Sequence, residues 1–298
     1  MAVLYFLLAV LIWGTDAGLT KAFLVADVPA PAMFAVRMTF ASLALMPFAW
    51  KHWPDFRKLS LKSWLELGVL VVIGVVVMNV VYTWGLVTVP SYLAVILFRL
   101  EPILVILISF TFLNKKYSPL ILVLTLAALT FAAVATLGGK LLGGGGLTLD
   151  PKGIMLVLLA TLSSALATLA AKDLLRVMSP LVLTSVRTTF AALILLSFTA
   201  KPLVTEIIPR LSAGQIGLLV LLGVVFSGFA FWLYYEGLER STPLLASLMQ
   251  LIRIPTGIVT GYFLLAEVPG TMQWIGTTGI VLTLIFITLH ENKAADRK

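Results

Sequence analysis

Cysteine is absent from this sequence of 298 residues, and histidine occurs only twice. No disulfide or thiolate metal site can form, and His52 and His290, each flanking an apolar stretch, offer no imidazole cluster. No metal or other cofactor is indicated. Charge is scarce too: 11% of residues are Asp, Glu, Lys or Arg, against about 25% in soluble domains. Hydrophobic residues make up 60%, and the mean hydropathy is +1.09. Surface-to-volume scaling leaves no interior large enough to hide so much apolar surface from water, so lipid is the solvent this composition requires. Long runs of alternating polarity are missing as well. Transmembrane β-strands alternate over about 10 residues, whereas Ile121–Leu137 and Ile154–Ala171 stay apolar throughout. The expectation is an all-α integral membrane protein.

Catalytic signatures are also lacking. There is no His-Glu-x-x-His, no Asp-rich prenyltransferase motif, no Gly-x-Ser-x-Gly and no histidine inside an apolar stretch. An intramembrane enzyme is therefore a minor alternative, and no enzymatic activity is expected. Rings of like charge and repeated filter segments, the marks of a channel, do not occur. The net charge of +8 comes without a basic cluster beside stacking aromatics. It reads as loop retention on the cytoplasmic side, not as nucleic-acid binding.

A membrane-crossing helix needs about 20 mostly apolar residues. Cutting at charges and at Pro/Gly punctuation such as Val89-Pro90, Ser118-Pro119, Ser179-Pro180 and Thr242-Pro243 predicts ten spans. They cover residues 3–23, 31–50, 65–88, 91–113, 119–138, 153–174, 180–199, 214–238, 243–265 and 271–290. The first lacks a basic n-region and outruns a signal-peptide core, so it reads as a span. Loops after even-numbered spans, with the C-terminus, carry Lys51, Arg57, Lys58, Lys62, Lys115, Lys116, Lys172, Arg176, Arg240, Lys293, Arg297 and Lys298. Loops after odd-numbered spans carry Lys21, Lys140, Lys152, Lys201 and Arg210. That excess predicts both termini in the cytoplasm.

A Gly-rich stretch around Gly138–Gly146 falls near mid-chain and reads as a linker. On either side the sequence repeats. Val36-Arg37-Met38-Thr39-Phe40-Ala41-Ser42-Leu43 aligns with Val186-Arg187-Thr188-Thr189-Phe190-Ala191-Ala192-Leu193, and Gly85, Pro90 and Pro102 align with Gly237, Pro243 and Pro255. Five spans is an odd number, so the second copy enters the membrane from the opposite side. Such inverted repeats serve alternating-access carriers. The predicted organisation is a first repeat over 1–138, an external linker over 139–152, a second repeat over 153–290 and a cytoplasmic tail over 291–298.

Leu11-Ile-Trp13-Gly14 with Lys21, Arg37-Met-Thr-Phe-Ala, Glu101-Pro102 and Leu265-Ala-Glu267 together resemble the EamA-type members of the drug/metabolite transporter superfamily. The resemblance spans essentially the whole chain. It implies a central cavity between the third–fourth and eighth–ninth helices, with the fifth and tenth peripheral, and export of amino acids or related metabolites as the common task. Asn114 stands where the first half of that pattern has Glu, and Ile254 where an acidic residue precedes the second proline.

Charges inside a span cost at least about 2.5–3.5 kcal/mol at the bilayer centre, so each is a candidate functional group. Asp16 shares a helix face with Trp13 and Thr20. It lies at a depth similar to Arg37, which makes it either a fixed ion-pair partner or a titratable group for proton coupling. Arg187 has Glu236 or a phospholipid as candidate partners. Arg99 and Glu101 are two residues apart and face different ways. Arg99 and Arg253 hold neighbouring positions in the two repeats, and two mid-membrane guanidiniums call for a carboxylate or phosphate between them. The candidate substrate-binding set is Trp13, Asp16, Arg37, Asn79, Tyr82, Tyr92, Arg99, Glu101, Trp232, Tyr235, Gln250 and Arg253, with Trp84 and Phe231 as further aromatic wall. Pro102 and Pro255 are candidate kink points for gates. Gly257-Ile-Val-Thr-Gly261 allows close helix approach. The expected function is alternating-access transport of a small anionic or zwitterionic metabolite, most simply export. Uptake is the runner-up, and a non-transport membrane scaffold a further alternative.

Overall fold

The computed structural model describes residues 1–24, 28–52, 57–137, 150–265 and 268–295, without the side chains of 17–18, 20–24, 91–92, 264–265 and 291–295. The Gly-rich stretch 138–149, Glu267, residues 296–298 and the side chains of Lys21 and Tyr92 thus lie outside the described residues. Every described element is a helix.

In chain order these are α1 (Ala2–Leu24), α2 (Ala30–Lys51), α3 (Leu61–Thr88), α4 in two pieces (α4a, Ser91–Phe98; α4b, Glu101–Leu113) and α5 (Pro119–Leu137). There follow α6 (Pro151–Leu174), α7 (Pro180–Arg210), α8 (Ala213–Glu239), α9 in two pieces (α9a, Pro243–Met249; α9b, Arg253–Leu265) and α10 (Thr271–Ala295). Among the described residues, nine helical stretches, α2 to α10, are long and apolar enough to cross a membrane.

Helix starts follow local chemistry. Pro occupies the first turn of α2, α6, α7 and α9a, where its missing N–H costs nothing. Ser60, Asp150, Ser179, Ser212 and Thr242 accept first-turn N–H groups as caps. Some helices outrun their apolar stretch. α3 begins at Leu61 instead of 65, because Ser60 caps it and Lys62 pairs with Glu66 at 3.3 Å. α7 runs through Pro202 to Arg210 on a widened turn at Leu203–Ile207. α6 starts at Pro151, inside the stretch expected as linker, since Asp150 caps it. α4b ends on Asn114 in the left-handed conformation (φ 50°), a cap that Asn accepts and Glu would not.

Packing is pairwise. α2 lies along α7 and α5 along α10; α3 packs on α6 and α8 on α1; α4 packs on α6 and α9b on α1. α9a is buried over its whole length, against α4b and α6. Exposed Leu, Phe and Val side chains such as Phe110, Phe112, Val123 and Phe286 face outward, as a bundle solvated by lipid requires. At one end of α8, Lys172 Nζ donates to the last carbonyls, Leu238 O and Glu239 O, both at 2.9 Å, and so satisfies acceptors that the helix leaves open.

The Asp150 cap predicts a pH effect. Hydrogen bonds from Thr88, then from the N–H groups of Gly153 and Lys152, hold its carboxyl below the usual Asp value. A depressed native pKa contributes stability above the ordinary Asp pKa that fades as pH falls through the native one. In thermal unfolding at pH 7, Asp150→Ala melts below wild type and Asp150→Asn, which keeps an accepting oxygen, lies between them; in acid the three converge.

Candidate functional site

Pro102 and Pro255 have no N–H for the carbonyl four residues earlier, and the helix gives way just before each. In α4 the break falls at Arg99–Leu100; in α9 it is a tight turn over Gln250–Ile252. The breaks place Arg99 and Arg253 in the wall of one cavity of about 440 Å³. Val95, Ile254, Gly257 and Ile258 continue the wall, and Ala135, Thr136 and Gln273 close it from α5 and α10, towards Val268 and Pro269 in the loop before α10. The fifth and tenth helices, expected at the periphery, therefore contribute lining. A Cβ at Gly257 would make only ordinary contact, 3.9 Å from Gly14 O; the tighter approach at this crossing is at Gly14, where a Cβ would come within 2.2 Å of Thr256 Cγ2.

Beside the arginines lies Glu101, 3% exposed. Its carboxylate accepts from Ser164 Oγ and Thr168 Oγ1, each at 2.9 Å, and from Gln250 Nε2 at 3.5 Å. Arg99 does not pair with it in a salt bridge; its Nη1 donates to Gln250 O at 3.4 Å. Arg253 is stacked over the Trp13 ring at 5.4 Å and stands within electrostatic reach of Asp16, Tyr82, Arg37 and Glu101. Tyr82 reaches Arg99 as well and packs edge-on against Phe98 at 5.2 Å. Arg99, Glu101, Gln250, Arg253, Tyr82, Trp13, Asp16 and Arg37 thus gather in one region.

Asp16 and Arg37 form an ion pair, Nη2 to Oδ2 at 3.1 Å, with Arg37 5% exposed. Trp13 donates its indole N–H to Phe226 O at 2.9 Å, and Asn79 donates to Val75 O at 2.6 Å. Both acceptors lie where the helix ladder widens to i→i−5, over Leu222–Phe229 in α8 and Val69–Val77 in α3, turns that leave carbonyls short of a donor. Trp232 is half-buried and donates to Glu236 Oε1 at 3.1 Å, while Tyr235 is buried against Phe231 and Tyr234. Of the candidate set, Arg99 and Arg253 line the cavity, whereas Trp13, Asp16, Arg37, Asn79, Tyr82, Glu101, Trp232, Tyr235 and Gln250 do not; Trp84 is exposed on the bundle surface.

Arg187 corrects an expectation. Glu236 is bound by Trp232 and by Arg240, and is not its partner. Arg187 instead lies 3.6 Å over the Phe231 ring, 4% exposed, with Nη1 lacking any acceptor among the described residues. Sequence reasoning also missed the cradle of Glu101. Thr161, Ser164 and Thr168 recur at i, i+3 and i+7, a polar stripe along α6, which was the available signal.

The two buried arginines make opposite predictions. Asp16→Ala strands Arg37 and costs about 3–5 kcal/mol, the usual loss when one partner of a buried pair is removed. Arg187→Met removes a charge that has no counter-ion among the described residues, and its melting temperature stays level or rises. A drop for Arg187→Met in detergent would mean that the guanidinium does have a stabilising anion.

Comparison with known proteins places this geometry. The model of the EamA-like transporter family matches residues 1–137 and again 151–289. A protein of Archaeoglobus fulgidus described as an uncharacterized transporter is 28% identical over 262 residues, covering 87% of this chain and 86% of that protein. A solved crystal structure has the same fold, with a TM-score of 0.78 at 19% identity over 98% of both chains. With a family match over most of its length and nine apolar helices among its described residues, the chain is a multi-pass membrane transporter and belongs to the EamA-like transporter family.

Proposed function

We propose that this transporter is an alternating-access exporter of small organic metabolites bearing a carboxylate, amino acids or related zwitterionic and anionic solutes. The observation that carries the reading is the pair of guanidiniums, Arg99 and Arg253, facing one cavity while the carboxylates within electrostatic reach are already engaged, Glu101 by Ser164, Thr168 and Gln250 and Asp16 by Arg37. An excess of positive charge in a low-dielectric site favours an anionic group, and Arg grips carboxylates in bidentate fashion. Arg99 and Arg253 are the anion contacts, with Tyr82, Glu101 and Gln250 shaping the site. Trp13 supports Arg253 from behind the wall, its indole N–H held by Phe226; Asp16 and Arg37 brace α1 against α2. Glu101 and Asp16 are the candidate proton carriers, Glu101 because its hydroxyl partners can donate or accept according to its protonation state.

The reading includes ten spans in two inverted halves, 1–138 and 153–290, joined by the 139–152 linker, with a tail over 291–298 and both termini in the cytoplasm. Several observations support it. α1 has 23 residues, about 34 Å at about 1.5 Å per residue, enough to span a hydrocarbon core of about 30 Å. The family model matches once in each half. The helix pairing maps onto itself when each helix is exchanged for the one five later: α3 on α6 becomes α8 on α1, and α2–α7 and α5–α10 are unchanged. A Cβ at Gly85 would meet Val157 and the Gly153 carbonyl, and one at Gly237 would meet Phe6 and the Ala2 carbonyl, partners shifted by one common offset.

Exchange of conformations between the halves then supplies the gate. α9a packs on α4b and closes one side, while the cavity opens between α4a and α9b on the other; in the exchanged state α4a packs on α9b. Pro102 and Pro255 are the paired bending points. On this topology the cavity faces outward.

In proteoliposomes loaded with an amino-acid or organic-acid panel, wild type drives substrate counterflow. Arg253→Ala folds but weakens substrate binding by about 2–5 kcal/mol, which abolishes flux. Unaltered flux in Arg253→Ala would remove that residue from the site. Reporter tags on the two chain ends label from the cytoplasmic side only; labelling from opposite faces would overturn the inverted repeat.

A further inference from the structure

A second concavity lies away from the transport site. It is a groove of about 500 Å³ on the outer surface of the bundle, where α2, the start of α3 and α7 meet. Met46, Trp50, Trp64, Phe190 and Leu193 expose apolar surface to it. The hydroxyl of Thr189, which also lines it, is already bonded to Ser42 at 2.8 Å, so the floor offers no free polar group. At the rim stands one charged side chain, Arg57. Lys62 is held by Glu66 and Asp173, and Arg176 by Asp173, while Lys51 and Lys58 lie outside the lining. Arg57 meets no carboxylate among the described residues.

A greasy slot open to hydrocarbon, flanked by two tryptophans of interfacial type and topped by one uncompensated guanidinium, has the layout of a single amphiphile with an anionic head. We infer that this groove is a binding site for an anionic phospholipid of the leaflet nearest the Lys51–Lys62 loop. The acyl chains lie between α2 and α7, and the headgroup phosphate sits on Arg57. Basic pockets between membrane helices take anionic lipids by this charge complementarity, and Arg presents a fork that fits phosphate. Occupancy would fasten the α2–α7 seam, where Ser185 Oγ also reaches Leu45 O at 3.1 Å. The site is independent of which solute the protein carries.

Native mass spectrometry of the purified full chain, with phosphatidylglycerol and phosphatidylcholine of identical acyl chains, tests this. Wild type retains one phosphatidylglycerol with about fivefold preference, the ratio that matches about 1 kcal/mol for one basic side chain at an anionic headgroup. Arg57→Gln abolishes the preference, whereas Lys58→Gln, which removes the same charge one residue outside the lining, keeps it. Ala49→Phe fills the groove and lowers retention of both lipids. Equal retention of the two lipids by wild type would overturn the proposal. So would equal losses in Arg57→Gln and Lys58→Gln, which would mean diffuse surface charge, or undiminished retention in a folded Ala49→Phe.

Discussion

A backbone polar group inside a membrane protein has no water to bond, and the arrangement of this molecule follows from that constraint. At four places where the chain leaves the regular helix, a side chain from a neighbouring turn or helix meets a carbonyl left short. Thr161 donates to Leu97 O beside the break in α4, and Arg99 to Gln250 O in the tight turn of α9. Trp13 and Asn79 do the same for the widened turns of α8 and α3. The breaks in α4 and α9 lie at the polar centre itself, where such donors are within reach.

The same economy explains the charges. Arg37 has Asp16, and Glu101 has two hydroxyls and an amide. Arg253 and Arg187 rest on aromatic faces, Trp13 and Phe231, whose rings touch at 4.6 Å. An aromatic face stabilises a desolvated guanidinium by about 2 kcal/mol without neutralising it. The bundle therefore keeps net positive charge at its centre, and the proposed anionic cargo supplies what the protein withholds. Pairing each arginine with a resident carboxylate would give a more stable bundle with less reason to bind a solute.

Much of the fold was legible before any coordinates, for a reason particular to lipid. Apolar run length and Pro punctuation set the helices from α2 to α10 to within a few residues at most ends, since hydrocarbon demands long unbroken helices. The misplaced ends were the start of α3, extended by its Ser60 cap and the Lys62–Glu66 pair, the end of α7, which continues on a widened turn, and the end of α10, which runs to Ala295. Arg99, Glu101, Gln250 and Arg253 stood out because a charged or amide side chain in a span is costly enough to need a reason. Trp232, Tyr235 and Trp84 were poorly placed by sequence, since an aromatic ring fits a cavity wall, a packed core or a lipid interface equally well.

By itself the sequence determined the class: a membrane bundle, helical throughout, with a handful of charges too costly to be accidental. It also marked Pro102 and Pro255 as candidate breaks, since a proline lacks its N–H in any fold, although α2 and α7 run on through Pro47 and Pro202. Only the tertiary structure decided which charge meets which. Asp16–Arg37, the Ser164–Thr168 cradle under Glu101 and the bare Nη1 of Arg187 each depend on the rotation and depth of two helices. Helices that are apolar on every side carry no amphipathic face to declare that rotation; it is set by small residues such as Gly14 against Thr256, where close contact permits one crossing and sterics forbid the rest.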